Sequence, residues 1–408
     1  MMIPGWMSFA VHRPAPASGA GSWTAVADRL AVALVASAPL AVVGCGPTGA
    51  AGHAGPQPAR PAARAAVEGP RATPVEVVPL AGEPAEIGRT HGRALGERIR
   101  VLEDRYLTAI FGGRTDRDRA LAAAAGFRPL LRPRHRAELD AVAAAAGLPP
   151  ERMLLANAFL DLLPSVGCST IALPAAASAD GVPRFGRNLD FPSFGVADSQ
   201  SLVVVVRPTG RHAFAAVTWP GLVGVLSGMN EHGLALANME VARAPRVPDA
   251  MPYPFLYRTI LEECRTVDEA VALLRSTGRQ SANNLMLMDA DGARALVEIA
   301  PDGIVVRRAS DDAPLVSTNH QRGDRDEPGR CTRYDCLATD AARGWGRLDR
   351  AGLQTLLARA GQGDLTLQSM IFEPGERRLF LALGARAASR EFQPVDLGGW
   401  FFPAPATR

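Results

Sequence analysis

The sequence changes character once, near residue 165, and that change limits the folds open to it. Between Glu86 and about Leu163 the apolar residues fall at helical intervals. In EIGRTHGRALGERIRVLEDRYLTAIF they are Ile87, Leu95, Ile99, Leu102 and Tyr106. HRAELDAVAAAAGL continues the pattern, Gly147 stops it, and Pro149-Pro150 opens a third helix, ERMLLANAFLDLL. After Cys168 the runs become short and β-rich: STIALPA, PRFGRNLDF, SLVVVVRP, HAFAAVTWP, LVGVLSGMN and GLALANMEV, parted by Gly, Pro, Asp or Asn. Asp180-Gly181 is a hairpin signal, and Asn230 to Gly233 is a turn. A helical insertion from about Pro254 to Arg279 precedes NNLMLMDADGARALVEIA, DGIVVRR and APLVSTN. The helix LDRAGLQTLLARA and a hairpin around Pro374-Gly375 close the pattern. Helices, then antiparallel hairpins, then more of each predict an α+β fold of stacked layers. The 408 residues, 47% hydrophobic, suffice for the core of one large domain or two smaller ones.

The first seventy or so residues lie outside that pattern. Leu30 to Val43 is an apolar run behind Arg29, too short to span a bilayer comfortably and interrupted by Pro39. Residues 1–45 read as a processing signal, and residues 46–73, rich in Gly, Pro, Ala and Arg, as a flexible linker. Gly44-Cys45 resembles the bacterial lipoprotein signal, which implies lipidation at Cys45 and an extracytoplasmic, membrane-tethered protein in the cell envelope. An ordinary secretory signal cut near Ala41 is the alternative. The folded domain is then expected over 74–408.

Composition serves mainly to exclude. The net charge of +3 is small for the length, so no nucleic-acid footprint is implied. All 44 basic residues are Arg. Schiff-base lysines, phosphate-loop GKS/T motifs and Ser-x-x-Lys pairs are therefore out. GxSxG and HExxH are also absent. Of the five cysteines, Cys264 sits in a helical pattern as a small buried hydrophobe. Cys331 and Cys336 are close enough in sequence to pair, and no metal-ligand spacing with His accompanies them.

Cys168 is the candidate nucleophile, and a buried inert thiol is the plainer reading. Gly167 before it lacks a Cβ, so the Gly167–Cys168 peptide can take a strained, attackable conformation. Arg187 and Asp190 lie in the next strand across the predicted hairpin. A nearby cation is expected to lower the thiol pKa. A plain surface ion pair is the competing account of these two residues.

SVGCST, the hairpin into GRNLDF, GMNEHGLALAN, VSTNH and CTRYD, in that order, resemble the N-terminal-nucleophile cysteine hydrolases, and within them the isopenicillin N acyltransferase-like group. EIGRTHGRALGERI and TLQSMIFEPGERRLFLALG extend the resemblance over roughly Val75 to Pro403. Bile-salt hydrolases, penicillin V acylases and acid-ceramidase-like amidases are similar at greater distance. The resemblance implies a four-layer αββα sandwich with a helical N-terminal segment, and self-cleavage between Gly167 and Cys168. The freed α-amine, with a pKa near 7.7–8.0, then serves as base for its own thiol.

Carried over by position, Arg187 favours the thiolate and orients substrate, and Asp190 holds the α-amino group. Asn319 supplies an oxyanion donor, Asn238 is a second oxyanion or substrate contact, and Arg333 supports the site. The family has serine where this chain has Cys331 or Thr332. The implied activity is an amidohydrolase or acyltransferase acting on a small N-acyl amide or acyl donor through a Cys168 thioester. It needs neither metal nor organic cofactor. The rival reading is a non-catalytic lipoprotein that binds a small ligand. A turn-shaping role is the plainer reading of Asn319 and Asn238, and a solvated or structural one that of His232, His320 and His91.

Overall fold

The computed structural model describes residues 75–162, 167–241, 249–323 and 330–402. The expected signal, Cys45 and the linker lie outside the described residues. The chain enters on a strand absent from the expectation, β1 (Val77–Gly82), before the helices begin. These are α1 (Pro84–Val101), which runs through a π-helical turn into α2 (Leu107–Phe111), then α3 (Arg114–Ala125), α4 (Pro133–Ala146) and α5 (Pro150–Leu162). Helices α1 and α4 pack in close contact because α1 presents glycine to α4. A Cβ on Gly88 would lie 2.3 Å from the Glu138 carbonyl oxygen, and one on Gly92 would lie 2.6 Å from Ala145 Cβ.

The strands follow the turn signals. They are β2 (Cys168–Leu173), β3 (Arg184–Asp190), β4 (Leu202–Pro208), β5 (Phe214–Thr218), β6 (Ser227–Asn230) and β7 (Ala235–Glu240). The helical insertion is α6 (Tyr253–Glu263) and α7 (Val267–Ser276). Thr266 caps α7 by accepting the Glu269 amide. Next come β8 (Asn283–Met288), β9 (Arg294–Ala300), β10 (Gly303–Arg307), β11 (Leu315–Ser317), α8 (Thr332–Arg343) and α9 (Arg350–Ala360). The chain closes with β12 (Thr366–Glu373), β13 (Arg378–Leu383), β14 (Gln393–Asp396) and α10 (Leu397–Phe401).

Two sheets result, ordered β1-β4-β5-β6-β7-β8-β9-β10 and β11-β2-β3-β12-β13-β14. Only the β1–β4 pairing is parallel among the described strands. The sheets face one another, with β2 against β7 and β8. Helices α1, α6 and α7 cover the larger sheet, and α8 and α9 cover the smaller. This is the expected αββα sandwich. All residues of β2, β3 and β12 are buried, as strands covered on both faces must be. Polar side chains on them therefore need partners inside the protein, and that requirement shapes the site.

Candidate active site

Cys168 is the first residue of β2 and is 6% exposed. The β2–β3 hairpin places it opposite Leu189 and places Thr170 opposite Arg187. The Asp190 amide donates to the Gly167 carbonyl at 3.1 Å, so the carbonyl before Cys168 is already held by a hydrogen bond. On the other side, the Cys168 amide donates to Asn319 Oδ1 at 2.7 Å. Arg333, in the first turn of α8, donates from Nη1 to the Cys168 carbonyl and from Nη2 to Asn319 Oδ1 at 3.1 Å. Its Nη1 also lies 3.7 Å from Asp190 Oδ2.

The Asn319 amide orientation follows from its neighbours. Oδ1 faces two donors, and Nδ2 donates to the Glu240 carbonyl at 2.8 Å. In this chain the side-chain oxygen, more than the expected nitrogen donor, is what touches Cys168.

Asp190 is buried. It accepts from Thr366 Oγ1 at 2.5 Å and from Gln362 Nε2 at 2.7 Å. Burial raises its carboxyl pKa against the lowering effects of Arg333, Gln362, Thr366 and Arg187. Neither Gln362 nor Thr366 was singled out in the sequence. Thr366 reaches Asp190 because β12 pairs with β3 at that register, a long-range pairing with no local signature.

Arg187 is fully buried, so the surface ion-pair account does not hold. Its Nε donates to Ser227 Oγ at 3.1 Å, bridging the two sheets, and Nη1 donates to the Asn188 carbonyl at 3.1 Å. Its Nη2 has no hydrogen-bond partner among the described residues. The guanidinium draws the Cys168 thiol pKa down, as expected of a cation, but burial outweighs it and the thiol is raised. The expectation of a lowered thiol is therefore corrected for the uncleaved chain, whose Cys168 nitrogen is an amide and carries no charge.

Asn238 stands apart. It lies on β7 in the facing sheet, with Nδ2 directed to Asn283 Oδ1 at 3.4 Å. Below the site two carboxyls missed in the sequence share a buried region. Asp161 accepts the Tyr253 amide at 3.3 Å and the Ser281 hydroxyl, and burial pushes it up to about 7. Burial, with Asp161 nearby, pushes Glu240 well above the carboxylate range. The one signal for Asp161 was a polar residue on the apolar helix α5.

The remaining candidates have structural surroundings. His91 is buried and accepts the Gly221 amide at 3.0 Å, with its pKa lowered by burial to about 4. Cys264, Cys331 and Cys336 are buried thiols, and Cys331 and Cys336 are not bridged to each other. An apolar cavity adjoins the β3 end of the site, lined by Tyr106, Phe159, Phe191, Trp219 and Leu226 among others. Among the described residues no helix is long and apolar enough to cross a membrane.

This αββα sandwich, with a cysteine heading an inner strand, has the layer order expected of the N-terminal-nucleophile hydrolase fold. Residues 178–333 match the family described as acyl-coenzyme A:6-aminopenicillanic acid acyl-transferase. The match takes in Arg187, Asp190, Asn238, Asn319 and Arg333, while Cys168 lies before it.

Two Dictyostelium discoideum proteins are similar along more of the chain. Protein dcd1B is 21% identical over 71% of this chain and 65% of its own length. Protein dcd1A is 20% identical over 65% of this chain and 66% of its own. The chain thus spans just under two thirds of these relatives. Among solved structures, the Caenorhabditis elegans N-acylethanolamine-hydrolyzing acid amidase ortholog matches at TM-score 0.42 and 19% identity, covering 51% of this chain and 93% of that one. The penicillin V acylase from Agrobacterium tumefaciens matches at TM-score 0.41 and 14% identity, covering 56% and 86%.

Proposed function

We propose that the chain is an amidohydrolase or acyltransferase whose nucleophile is Cys168, freed as an N-terminal residue by cleavage of its own Gly167–Cys168 bond. The observation that carries this reading is the convergence of three groups on Cys168 and the peptide bond before it. The Asp190 amide holds the Gly167 carbonyl, Asn319 Oδ1 holds the Cys168 nitrogen, and Arg333 holds the Cys168 carbonyl.

In maturation, Cys168 Sγ adds to the Gly167 carbonyl carbon. The C–N bond breaks, and the thiol proton ends on the departing nitrogen. Water then hydrolyses the thioester to a Gly167 carboxylate and a free Cys168 thiol. In turnover, the new α-amine takes the thiol proton, and the thiolate adds to an amide carbonyl. The ammonium returns its proton to the leaving nitrogen. Water or an acceptor amine removes the acyl group from sulfur. Asn319 Oδ1 is placed to keep hold of the α-amine. Arg187, whose buried Nη2 has no hydrogen-bond partner among the described residues, favours the thiolate.

The cavity lined by Tyr106, Phe159, Phe191, Trp219 and Leu226 suits an apolar acyl chain, so the substrate class is N-acyl amides with an extended acyl group. Tethering outside the cytoplasm through lipidated Cys45 belongs to the same reading. The test is a panel of N-acyl amides of increasing chain length, assayed with wild type and Cys168→Ala. Turnover that rises with chain length and vanishes in the variant is expected. Equal turnover by both proteins would remove Cys168 from the reaction.

A further inference from the structure

Among the described residues, one group of His, Cys, Asp and Glu side chains converges as a metal-binding set would: His212, Glu231 and His232. His232 Nε2 lies 3.1 Å from His212 Nδ1. Glu231 Oε1 lies 3.4 Å from His212 Nδ1 and 3.8 Å from His232 Nε2. A zinc-sized ion about 2.0–2.1 Å from tetrahedrally placed N and O donors spaces them about 3.4 Å apart. The three observed separations bracket that value, and a point about 2.0 Å from all three atoms follows from them.

The backbone enforces this convergence. Glu231 and His232 are adjacent in the β6–β7 turn, and His212 lies two residues before β5. The Glu231 amide donates to the Ala213 carbonyl at 2.8 Å, and β5 pairs Phe214 with Asn230. Asn230 Oδ1 accepts the His232 and Leu234 amides, while its Nδ2 donates to the Leu261 and Cys264 carbonyls. Gly233, at φ +83°, lies against the Pro374 carbonyl, where a Cβ would approach to 2.6 Å. Arg377 Nε donates to the Glu231 carbonyl at 2.7 Å. The turn is thus pinned on every side before any ion arrives, so little ordering remains to oppose binding.

The donor chemistry is consistent with this geometry. Two imidazole nitrogens and one carboxylate oxygen are ligands that a zinc-type ion takes. All three side chains are partly exposed, and a surface cleft lined by Gly210, Arg211 and Glu263 opens beside His212. Solvent can therefore complete the coordination.

We propose that His212, Glu231 and His232 form a binding site for a divalent transition-metal ion of the zinc type. The site lies at the opposite end of β6 from Ser227, which contacts Arg187. It is separate from the amide chemistry proposed at Cys168 and does not depend on it.

Titration of the full chain with Co²⁺, and with Zn²⁺ by equilibrium dialysis and elemental analysis, tests the proposal. Wild type should bind one ion with a visible d–d band and no thiolate-to-cobalt charge transfer. That affinity should fall by more than about 10²-fold in His212→Gln and in His232→Gln, and by about 10-fold or more in Glu231→Gln. Glu231→Gln keeps the size of the side chain, and an unchanged circular dichroism spectrum separates lost ligation from lost folding. Absence of binding to wild type, a thiolate band, or equal binding by folded variants would overturn the proposal. In that case the His212–His232 contact is a hydrogen bond between two imidazoles.

Discussion

The amide nitrogen of Cys168 donates to Oδ1 of Asn319 at 2.7 Å, tying the start of β2 to the chain leaving β11. After cleavage at Gly167 that nitrogen becomes the α-amine, so the same contact would orient the catalytic base. Asn319→Ala should mature slowly, and its matured fraction should lose turnover by about 10-fold or more, the cost of one hydrogen bond to a charged group, with a smaller change in KM. Asn319→Asp keeps an acceptor for Cys168 and Arg333 but sets a carboxylate oxygen against the Glu240 carbonyl, which now receives a donor. It should do no better. Turnover within a few-fold of wild type in fully matured Asn319→Ala would reduce Asn319 to a loop residue.

Gly167 is required by space. A Cβ there would come within 1.7 Å of Gln362 Nε2, which donates to Asp190 Oδ2. Gly167→Ala should fold, because Gln362 can swing aside, but it breaks the Gln362–Asp190 bond and disturbs the carbonyl to be attacked. Cleavage followed by time-resolved gels should slow by at least about 10-fold, the cost of one hydrogen bond to a charged group. Cleavage at the wild-type rate would remove Gln362 from the maturation geometry.

Arg333 serves three acceptors at once: the Cys168 carbonyl, Asn319 Oδ1 and, at 3.7 Å, Asp190 Oδ2. Lysine offers a point charge without the fork, so Arg333→Lys should keep one or two of these contacts. Turnover in the matured protein should fall by about 10–10²-fold, in line with the loss of a charge-assisted hydrogen bond. Wild-type turnover in Arg333→Lys would show that charge alone suffices.

Asp161 has a folded pKa of about 7, above its ordinary 3.8. The folded state therefore holds a proton that the unfolded state gives up. Its contribution to stability is fully present below about pH 4 and is lost as pH rises through about 7. His91, lowered to about 4, acts in the opposite direction between about pH 4 and 6.5, so the wild-type curve alone does not isolate either group. The difference curve does. Relative to wild type, Asp161→Asn should gain thermal stability between pH 5 and 8, with Glu240 supplying any residual slope. A flat difference would mean that Asp161 titrates normally.

The αββα layering was legible because nearly every strand is bounded by a local turn signal, as at Asp180-Gly181 and Asn230 to Gly233. Strand β1 was not, because it pairs in parallel with β4 across more than a hundred residues and carries no hairpin. Arg187 and Asp190 stood out by proximity to Cys168 across a single hairpin. Gln362 and Thr366 did not, since β12 meets β3 only in the finished sheet. The thiol pKa was misjudged for a related reason. The neighbouring cation can be read from the hairpin, whereas burial depends on the facing sheet.

The account rests on cleavage before Cys168, and the mass of the purified protein tests that most directly. Wild type should separate under denaturing conditions into two chains, one beginning with a free Cys168, and Cys168→Ala should remain whole at this bond. A single intact wild-type chain with full amidase activity, or a Cys168→Ala protein that still splits between residues 167 and 168, would contradict it.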